Sequence, residues 1–271
     1  MRNAAPRLHP MGLGELLDTT FALCRENFPL FAGIVALLII PETIVSFGLQ
    51  SLLPTASIFS VGTSGSPNIN LAGLVGLERT VVISSFVALV FNSLITGALA
   101  QAISARYLGR PITIGQAFAS VGVATFAALA LASILEGILL IVGFVVFVFP
   151  AIYLYVRLQF ISQAIVLERR PIFGAFSRSG ELVSGSWWRV AGYVLVIYVL
   201  LAVLQSALGG LAAGSLAFSG GQSGRIIATV ISAVIGILVK PFQLGALTLL
   251  YYDLRIRKES FDLEHLARHL D

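Results

Sequence analysis

Long apolar runs dominate the sequence and restrict what the chain can fold into. A helix that crosses a membrane needs about 20 consecutive apolar residues, and six such crossings fit in the chain. The predicted spans are 28–53, 80–107, two within 117–167, 190–208 and 226–252. Apolar residues make up 57% of the chain and charged residues 11%, which excludes a soluble domain. The sequence therefore predicts an all-α, polytopic membrane protein with six transmembrane helices in one membrane domain.

The connections between the spans follow from proline and glycine. The mostly apolar stretch 117–167 is too long for one crossing, so we expect a hairpin between Gly143 and Pro150, because proline suits the first turn of the following helix. Pro41 is expected to kink the first span, since it removes a backbone hydrogen bond there. Two stretches rich in Gly and Ser, 54–76 and 209–224, predict loops.

The distribution of Lys and Arg predicts the orientation. If both termini lie in the cytoplasm, thirteen of the seventeen basic residues fall on the cytoplasmic side. Only Arg79 and Arg225 lie outside, and Arg157 and Lys240 lie within spans. Cytoplasmic loops carry an excess of Lys and Arg in membrane proteins. We therefore expect a multi-pass protein of the cytoplasmic cell membrane with both termini inside.

A basic segment, 168–189, separates two long apolar runs and predicts an amphipathic helix that lies flat on the membrane. In a helix, its apolar residues form one stripe: Phe173, Phe176, Val183 and Trp187. Tryptophan at the start of the next span suits the interfacial depth. The candidate contacts to lipids or partner proteins are the basic and aromatic residues of this segment: Arg169, Arg170, Arg178, Trp187, Trp188 and Arg189.

Amphipathic segments precede three pairs of spans. Residues 1–27 hold another candidate, and a shortened copy follows Pro111. This recurrence predicts a threefold internal repeat with short cytoplasmic interfacial helices. The units are 1–108, 109–168 and 169–258, and a cytoplasmic tail, 259–271, follows them. Coincidence among apolar-rich segments is the alternative.

Small or polar side chains recur every four residues along the second span. They are Ser84, Ala88, Asn92, Thr96, Ala100 and Ser104. Such a ridge lets a neighbouring helix approach closely, so it predicts a packing face.

Ionisable residues inside spans are functional candidates, because their burial is costly. They are Glu42, Arg157 and Lys240. At 1.5 Å per residue, Glu42 lies about 21 Å from the inner end of its span and Arg157 about 10 Å from the outer end of its own. These depths coincide in a core about 30 Å thick, so we expect a buried ion pair. Lys240, nearer the cytoplasmic side, and Glu136, near the outer surface, are expected to be structural.

No catalytic constellation is recognisable. The sequence lacks a phosphate-binding loop, a dinucleotide fingerprint and a zinc-protease motif, so we expect no enzyme activity, no cofactor and no catalytic residue. His265 and His269 lie one helical turn apart on a solvated tail, and Cys24 has no nearby histidine; neither predicts a metal site. Because the basic residues cluster at span ends, membrane lipids and other membrane proteins, not nucleic acid, are the expected partners.

Two stretches carry a resemblance to known sequences. They are FPAIYLYVRLQFISQAIVLERRPIFGAFSRSGELVSGSWWRVAG and LLYYDLRIRKESFDLE, in which residues 251–255, YYDLR, are the most distinctive. Together with the opening GLGELLDTTFALCRENF, they resemble the bacterial and archaeal membrane-domain family of glycerophosphodiester phosphodiesterases and the related YciC-like multi-span membrane proteins. Ala151 and Ser260 depart from the family pattern, where glycine is expected in both places. The resemblance implies a multi-span membrane protein without an established site.

That family takes its name from a separate phosphodiesterase domain, which has no counterpart in this sequence, so the resemblance implies no catalytic residue. The sequence favours a non-enzymatic membrane module that organises lipids or partner proteins, because its recognisable stretches lie at interfaces. The alternative is a transporter of a lipid or small amphiphile. It rests on 41–42 and 240–241, where proline and an ionisable residue interrupt a span. A transporter predicts a polar cavity that reaches Glu42 or Lys240, whereas a module can be packed solid.

Overall fold

A computed structural model describes residues 10–52, 59–61, 67–69, 71–219 and 221–268. Almost all of these residues are helical. The helices are α1 (Leu13–Glu26), α2 (Phe28–Leu52), α3 (Leu71–Tyr107), α4 (Ile114–Ser120), α5 (Val123–Val146), α6 (Val148–Leu158), α7 (Ile161–Glu168), α8 (Ile172–Val183), α9 (Trp187–Ser219) and α10 (Gly221–Arg268). Two short strands, β1 (Phe59–Val61) and β2 (Pro67–Ile69), pair antiparallel between α2 and α3.

Six helical stretches are long and apolar enough to cross a membrane, which confirms the predicted all-α, polytopic fold. They are Phe28–Leu49, Glu78–Tyr107, Val123–Val145, Val148–Glu168, Trp187–Gly214 and Gly221–Glu259. The fourth crossing consists of two helices, α6 and α7, which are separated by a break at Gln159 and Phe160. Apolar side chains are exposed along much of these stretches, as expected for helices that face lipid.

The predicted hairpin of the third and fourth crossings is confirmed. Phe147, the single residue between α5 and α6, has an extended backbone. The two predicted loops are partly wrong. Residues 59–61 and 67–69 form the strand pair, α3 already begins at Leu71, and α9 continues through the glycine-rich stretch to Ser219. Leucine and alanine alternate with these glycines and favour helix, and transmembrane helices tolerate glycine. The helix α2 also continues through Pro41.

The prediction of one flat helix over 168–189 is wrong, because the segment breaks twice. Arg169 ends α7 in the left-handed conformation, with φ 55°. Pro171 then precedes α8, and a turn at Gly185, with φ 75°, separates α8 from α9. Proline lacks the N–H that a continuing helix requires, and glycine adopts positive φ without steric cost. The segment is therefore a short helix between two turns.

The buried face of α8 also differs from the predicted apolar stripe. Its fully buried residues include Ala175, Ser179, Leu182 and Val183, whereas Phe173 is 82% exposed. Val183 belongs to both sets. The exposed Phe173 remains available to the acyl boundary, where the stripe is predicted to lie. Trp187 and Trp188 do stand at the start of α9, as expected.

Three short helices fold back along the ends of neighbouring long ones. The helix α1 lies along α10. The Cys24 thiol of α1 contacts the Pro241 carbonyl, and Met11, just before α1, contacts Asp253. The helix α4 returns along α3, and α8 returns along α7 and α6. We call the end of the bundle that holds α1, α4 and α8 the clustered end. The threefold repeat itself stays a prediction.

The buried core concentrates at the clustered end. Its main contributions are 95–107 of α3, 156–166 of α6 and α7, and 239–254 of α10. Polar groups also join these helices. Gln101 Nε2 donates to the Val166 carbonyl at 2.8 Å, and the hydroxyls of Ser104 and Tyr252 share a hydrogen bond of 2.6 Å. The clustered end is consequently closely packed, and hydrogen bonds join its helices.

Candidate functional site

A cleft between α2 and α10 contains two of the three predicted intramembrane charges. It has a volume of about 390 Å³, and we call it the α2–α10 cleft. Its lining residues are Ile39, Glu42, Thr43, Ser46, Phe47, Ala228, Thr229, Ser232, Ala233, Gly236 and Lys240. The carboxylate, the ammonium and the hydroxyls give it a polar character at a depth where the surrounding helices are apolar.

Glu42 and Lys240 interact electrostatically across this cleft. Among the described residues they form no direct ion pair, since Lys240 Nζ instead donates a hydrogen bond to Asn92 Oδ1 on α3. Asn92 is held in turn by a 2.8 Å hydrogen bond from its Nδ2 to the Ala88 carbonyl. No hydrogen-bond partner for Glu42 is found in the part of the chain that the structure describes. The cleft therefore offers one carboxylate without a hydrogen bond from the described residues, next to a positioned ammonium.

The predicted ion pair of Glu42 with Arg157 is wrong. Arg157 Nη1 donates to the Tyr153 hydroxyl at 3.4 Å, and its guanidinium lies over the Tyr153 ring at 5.9 Å. It also lies against Gly180, where an added Cβ would approach Arg157 Nε to 2.9 Å. Counting residues along each span predicted the depths of Glu42 and Arg157, but it could not predict which spans are neighbours. The helix α2 packs against α3 and α10, whereas α6 packs against α5, α8 and α9.

A smaller polar cavity borders Asn92 on another side. Its volume is about 140 Å³, and it is lined by Leu89, Asn92, Ser93, Thr96, Leu129, Ser133 and Ser162. Asn92 therefore stands between this cavity and the Lys240 ammonium of the α2–α10 cleft. The four-residue ridge of the second span indicated a packing face but not these polar contacts. A lysine and an asparagine at similar depth on separate spans are the signal that sequence reasoning missed.

A charged group at the clustered end joins α7, α8 and α10. We call it the Glu168 cluster: Glu168, Arg178, Tyr251, Arg255 and Glu259. Arg178 Nε lies 3.0 Å from both carboxylate oxygens of Glu168, and its Nη2 donates to Glu259. Tyr251, which is completely buried, donates its hydroxyl proton to Glu168 Oε1 at 2.5 Å. Arg255 Nε lies 3.4 Å from the same oxygen.

The cluster keeps Arg178 charged. Burial disfavours its guanidinium ion, but the hydrogen bonds and charges of Glu259 and Glu168 outweigh burial and raise the pKa of Arg178 above its ordinary value. Lys258, one residue before the end of the sixth crossing, donates to the Glu181 and Ser184 carbonyls and so satisfies the C-terminal end of α8. These contacts attach α8 to α10 and make Arg178 a structural cation.

The other interfacial candidates remain more accessible. Arg169 and Arg189 are exposed, and Arg170 is half-exposed, with its Nε 3.2 Å from Glu168 Oε2. Trp187 stacks on Tyr153, with ring centroids 5.9 Å apart. Trp188 is 84% exposed, as expected for a side chain at a membrane interface. The structure thus separates Arg178, which is committed to an ion-pair network, from Arg169 and Arg189, which are exposed, and from Arg170, which is paired in part.

A clasp fastens the start of the described chain to α10. The buried Asp253 accepts the Met11 N–H at 2.7 Å and lies 2.8 Å from Arg257 Nε. Arg257 also donates to the Met11 carbonyl at 2.7 Å. A family profile described as a domain of unknown function, DUF7847, matches residues 11–254.

The chain belongs to the DUF7847 family. No curated protein and no solved structure matches it. The DUF7847 region begins at Met11 and ends one residue after Asp253, so the clasp joins its two ends. The region also contains the α2–α10 cleft and most of the Glu168 cluster. Because its description names neither phosphodiesterase membrane domains nor YciC-like proteins, that resemblance stays an expectation.

Proposed function

We propose that this protein is a non-enzymatic module of the cytoplasmic membrane that binds an amphiphile by its polar headgroup in the α2–α10 cleft. The observation that carries the proposal is the Glu42 carboxylate, which faces the cleft with no hydrogen-bond partner among the described residues. A charged group within a membrane is costly unless something compensates it. Lys240 offsets part of this cost from across the cleft, and a ligand group that donates hydrogen bonds to Glu42 would offset the rest.

The position of the cleft supports a lipid-like ligand. Glu42 lies about 21 Å along α2 from Phe28, and Lys240 about 20 Å along α10 from Asp253. Both residues therefore lie well inside the spans, deeper than the headgroup region of the membrane. Apolar walls, including Ile39, Phe47 and Ala233, adjoin the polar groups. This combination suits a molecule with one polar and one apolar part.

The charges also favour a headgroup class. Lys240 already donates a hydrogen bond to Asn92, whereas Glu42 has no hydrogen-bond donor among the described residues, so an amine that donates to Glu42 is the matching group. The nearby ammonium and the hydroxyls of Ser46 and Ser232 can meet an anionic oxygen of the same headgroup. A zwitterionic, amine-bearing amphiphile therefore fits the cleft best.

Extraction with surrounding native lipid, followed by native mass spectrometry, tests the proposal. The wild-type protein should retain an amine-bearing amphiphile stoichiometrically, and Glu42→Gln should reduce its retention by about tenfold. Glu136→Gln is the matched control, because Glu136 is also half-buried within a span but lies outside the cleft. Identical lipid profiles for the wild type and Glu42→Gln would refute the proposed site.

Transport of the same amphiphile is a second candidate, favoured by the cavity behind Asn92. This cavity continues the polar surface from the cleft toward α5 and α7. The test uses proteoliposomes loaded with the retained amphiphile. A transporter moves it between leaflets or compartments, and Asn92→Leu should slow that movement more than it weakens binding. A protein that binds the amphiphile without moving it is a module.

A further inference from the structure

A second cleft, separate from the α2–α10 cleft, lies where α4 and the start of α5 meet the end of α7. Its volume is about 540 Å³, and we call it the α5–α7 cleft. It is lined by Ala119, Ser120, Gly122, Ala124, Thr125, Ala128, Ile165, Arg169, Arg170 and Pro171. Two of these residues are arginines, and none of the lining residues is acidic. The lining of the cleft therefore carries positive charge, which Glu168 offsets in part through its ion pair with Arg170.

The turn after α7 places both arginines at the cleft. Arg169 is left-handed, and the Arg170 N–H bonds the Ala164 carbonyl at 3.3 Å, which closes the end of α7. Arg170 Nε forms an ion pair with Glu168 Oε2 at 3.2 Å, but the Arg170 side chain remains 52% exposed. For the Arg169 side chain, the structure records no partner within the residues that it describes. The cleft thus keeps one uncommitted guanidinium and one that is only partly committed.

The opposite wall adds hydrogen-bond donors. The Thr125 hydroxyl has no partner among the described residues, and Ala124 and Thr125 belong to the first turn of α5. The N–H groups of a first helical turn lack intrahelical acceptors, and no side chain caps α5 at Gly122. Arginine forks and such backbone donors together match the several oxygens of a phosphate group.

The location favours a phosphate at the membrane interface. Arg169 follows directly on Glu168, the last residue of the fourth crossing. From its charge, donors and position, we infer that the α5–α7 cleft binds a phosphate-bearing anion between Arg169, Arg170 and the start of α5. The source is either the headgroup of an anionic lipid or a soluble phosphate. This inference does not depend on a ligand in the α2–α10 cleft.

The full chain in nanodiscs tests the inference with two probes. One is phosphatidylglycerol, compared with phosphatidylcholine as the neutral lipid, and the readout is the number of lipids retained in native mass spectra. The other is inorganic phosphate, compared with chloride at equal ionic strength, and the readout is the shift of the unfolding temperature. Arg169→Asn should lower the affinity for the probe that binds by about tenfold. Asparagine is chosen because it accepts the left-handed backbone at this position.

The variants separate local from general charge effects. Arg169 lies outside the Glu168 cluster, so its substitution leaves that cluster intact. Arg170→Gln is measured in parallel. Arg189→Gln is the matched control, because Arg189 is an exposed interfacial arginine that does not line the cleft. A loss of phosphatidylglycerol in Arg169→Asn alone supports the lipid source, and a lost phosphate shift supports the soluble one. Equal losses in Arg169→Asn and Arg189→Gln, or no preference for either anionic probe, would overturn the inference.

Discussion

The Tyr251 hydroxyl lies 2.5 Å from Glu168 Oε1, so a buried phenol on α10 holds the carboxylate that ends α7. The same carboxylate receives Arg178 from α8. Two consecutive helices, α7 and α8, therefore meet the distant α10 at one charged group. Its side chain is only 10% exposed, so removal of either charge leaves a polar partner in a poorly solvated place.

Glu168→Ala is expected to destabilise the protein. The substitution leaves the Tyr251 hydroxyl without its acceptor and Arg178 with Glu259 alone. Breaking a buried ion pair on one side costs about 3 kcal/mol. The thermal unfolding temperature in detergent should fall markedly.

Glu181→Ala is the control for that experiment. Glu181 is also acidic and close to the same interface, but its side chain is exposed and accepts a hydrogen bond from the Ser177 hydroxyl at 3.0 Å. Its unfolding temperature should stay close to that of the wild type. If both variants unfold at the wild-type temperature, the Glu168 cluster contributes nothing to stability.

The break between α6 and α7 depends on a serine from another helix. Ser179 Oγ accepts the Phe160 N–H at 3.2 Å and donates to the Arg157 carbonyl at 2.7 Å. Ser179→Ala should cost about 2 kcal/mol, because two buried backbone groups lose a partner. Ser177→Ala, on the exposed face of α8, is the matched control. Equal chemical denaturation of the two variants would contradict this role of Ser179.

Local composition explains how much of the fold was predictable. The crossings and the hairpin at Phe147 follow from the length of apolar runs, which is a property of contiguous sequence. The buried face of α8 does not, because Ala175, Ser179 and Gly180 are buried there through close approach, beside the hydrophobic Leu182 and Val183. The neighbour of Glu42, which is Lys240 and not Arg157, could not be predicted either. Sequence gives a residue's height within the membrane, but only packing places α10, and not α6, beside α2.

The clasp of Met11 and Asp253 should govern the mobility of α1. Asp253→Asn weakens the ion pair with Arg257, which itself donates to the Met11 carbonyl. We expect faster amide hydrogen exchange in α1 and little change in α5, measured by mass spectrometry. Asp18→Asn changes an exposed carboxylate on α1 itself and serves as the control. Unchanged exchange throughout α1 in Asp253→Asn would show that other contacts suffice to hold it.

The proposed orientation makes the clustered end cytoplasmic. In a Cys24→Ala background, Asp18→Cys should react with a membrane-impermeant maleimide only after the cells are opened. Ser223→Cys, which lies in the first turn of α10 at the other end of the span, should react in intact cells. The opposite labelling pattern would invert the topology. The charge distribution of the loops is the physical basis of this expectation.

Burial raises the pKa of the Cys24 thiol from 9.0 to about 12. This thiol contacts the Pro241 carbonyl, with its sulfur 3.5 Å from the oxygen. Only the thiolate reacts with alkylating reagents, so Cys24 should react about 1,000-fold more slowly at pH 8 than an unperturbed thiol. Ala22→Cys in a Cys24→Ala background is the control, because Ala22 is exposed one turn after Asp18.

The same pKa shift gives the sign of a stability effect. The folded chain keeps the Cys24 proton between about pH 9 and 12, where the unfolded chain loses it. The contribution of Cys24 to stability is therefore complete below pH 9 and declines as the pH rises toward 12. Comparison of the wild type with Cys24→Ala over this range isolates the effect, since all other titrating groups are shared. A constant difference in unfolding free energy across the range would mean that the thiol is not shielded by α10.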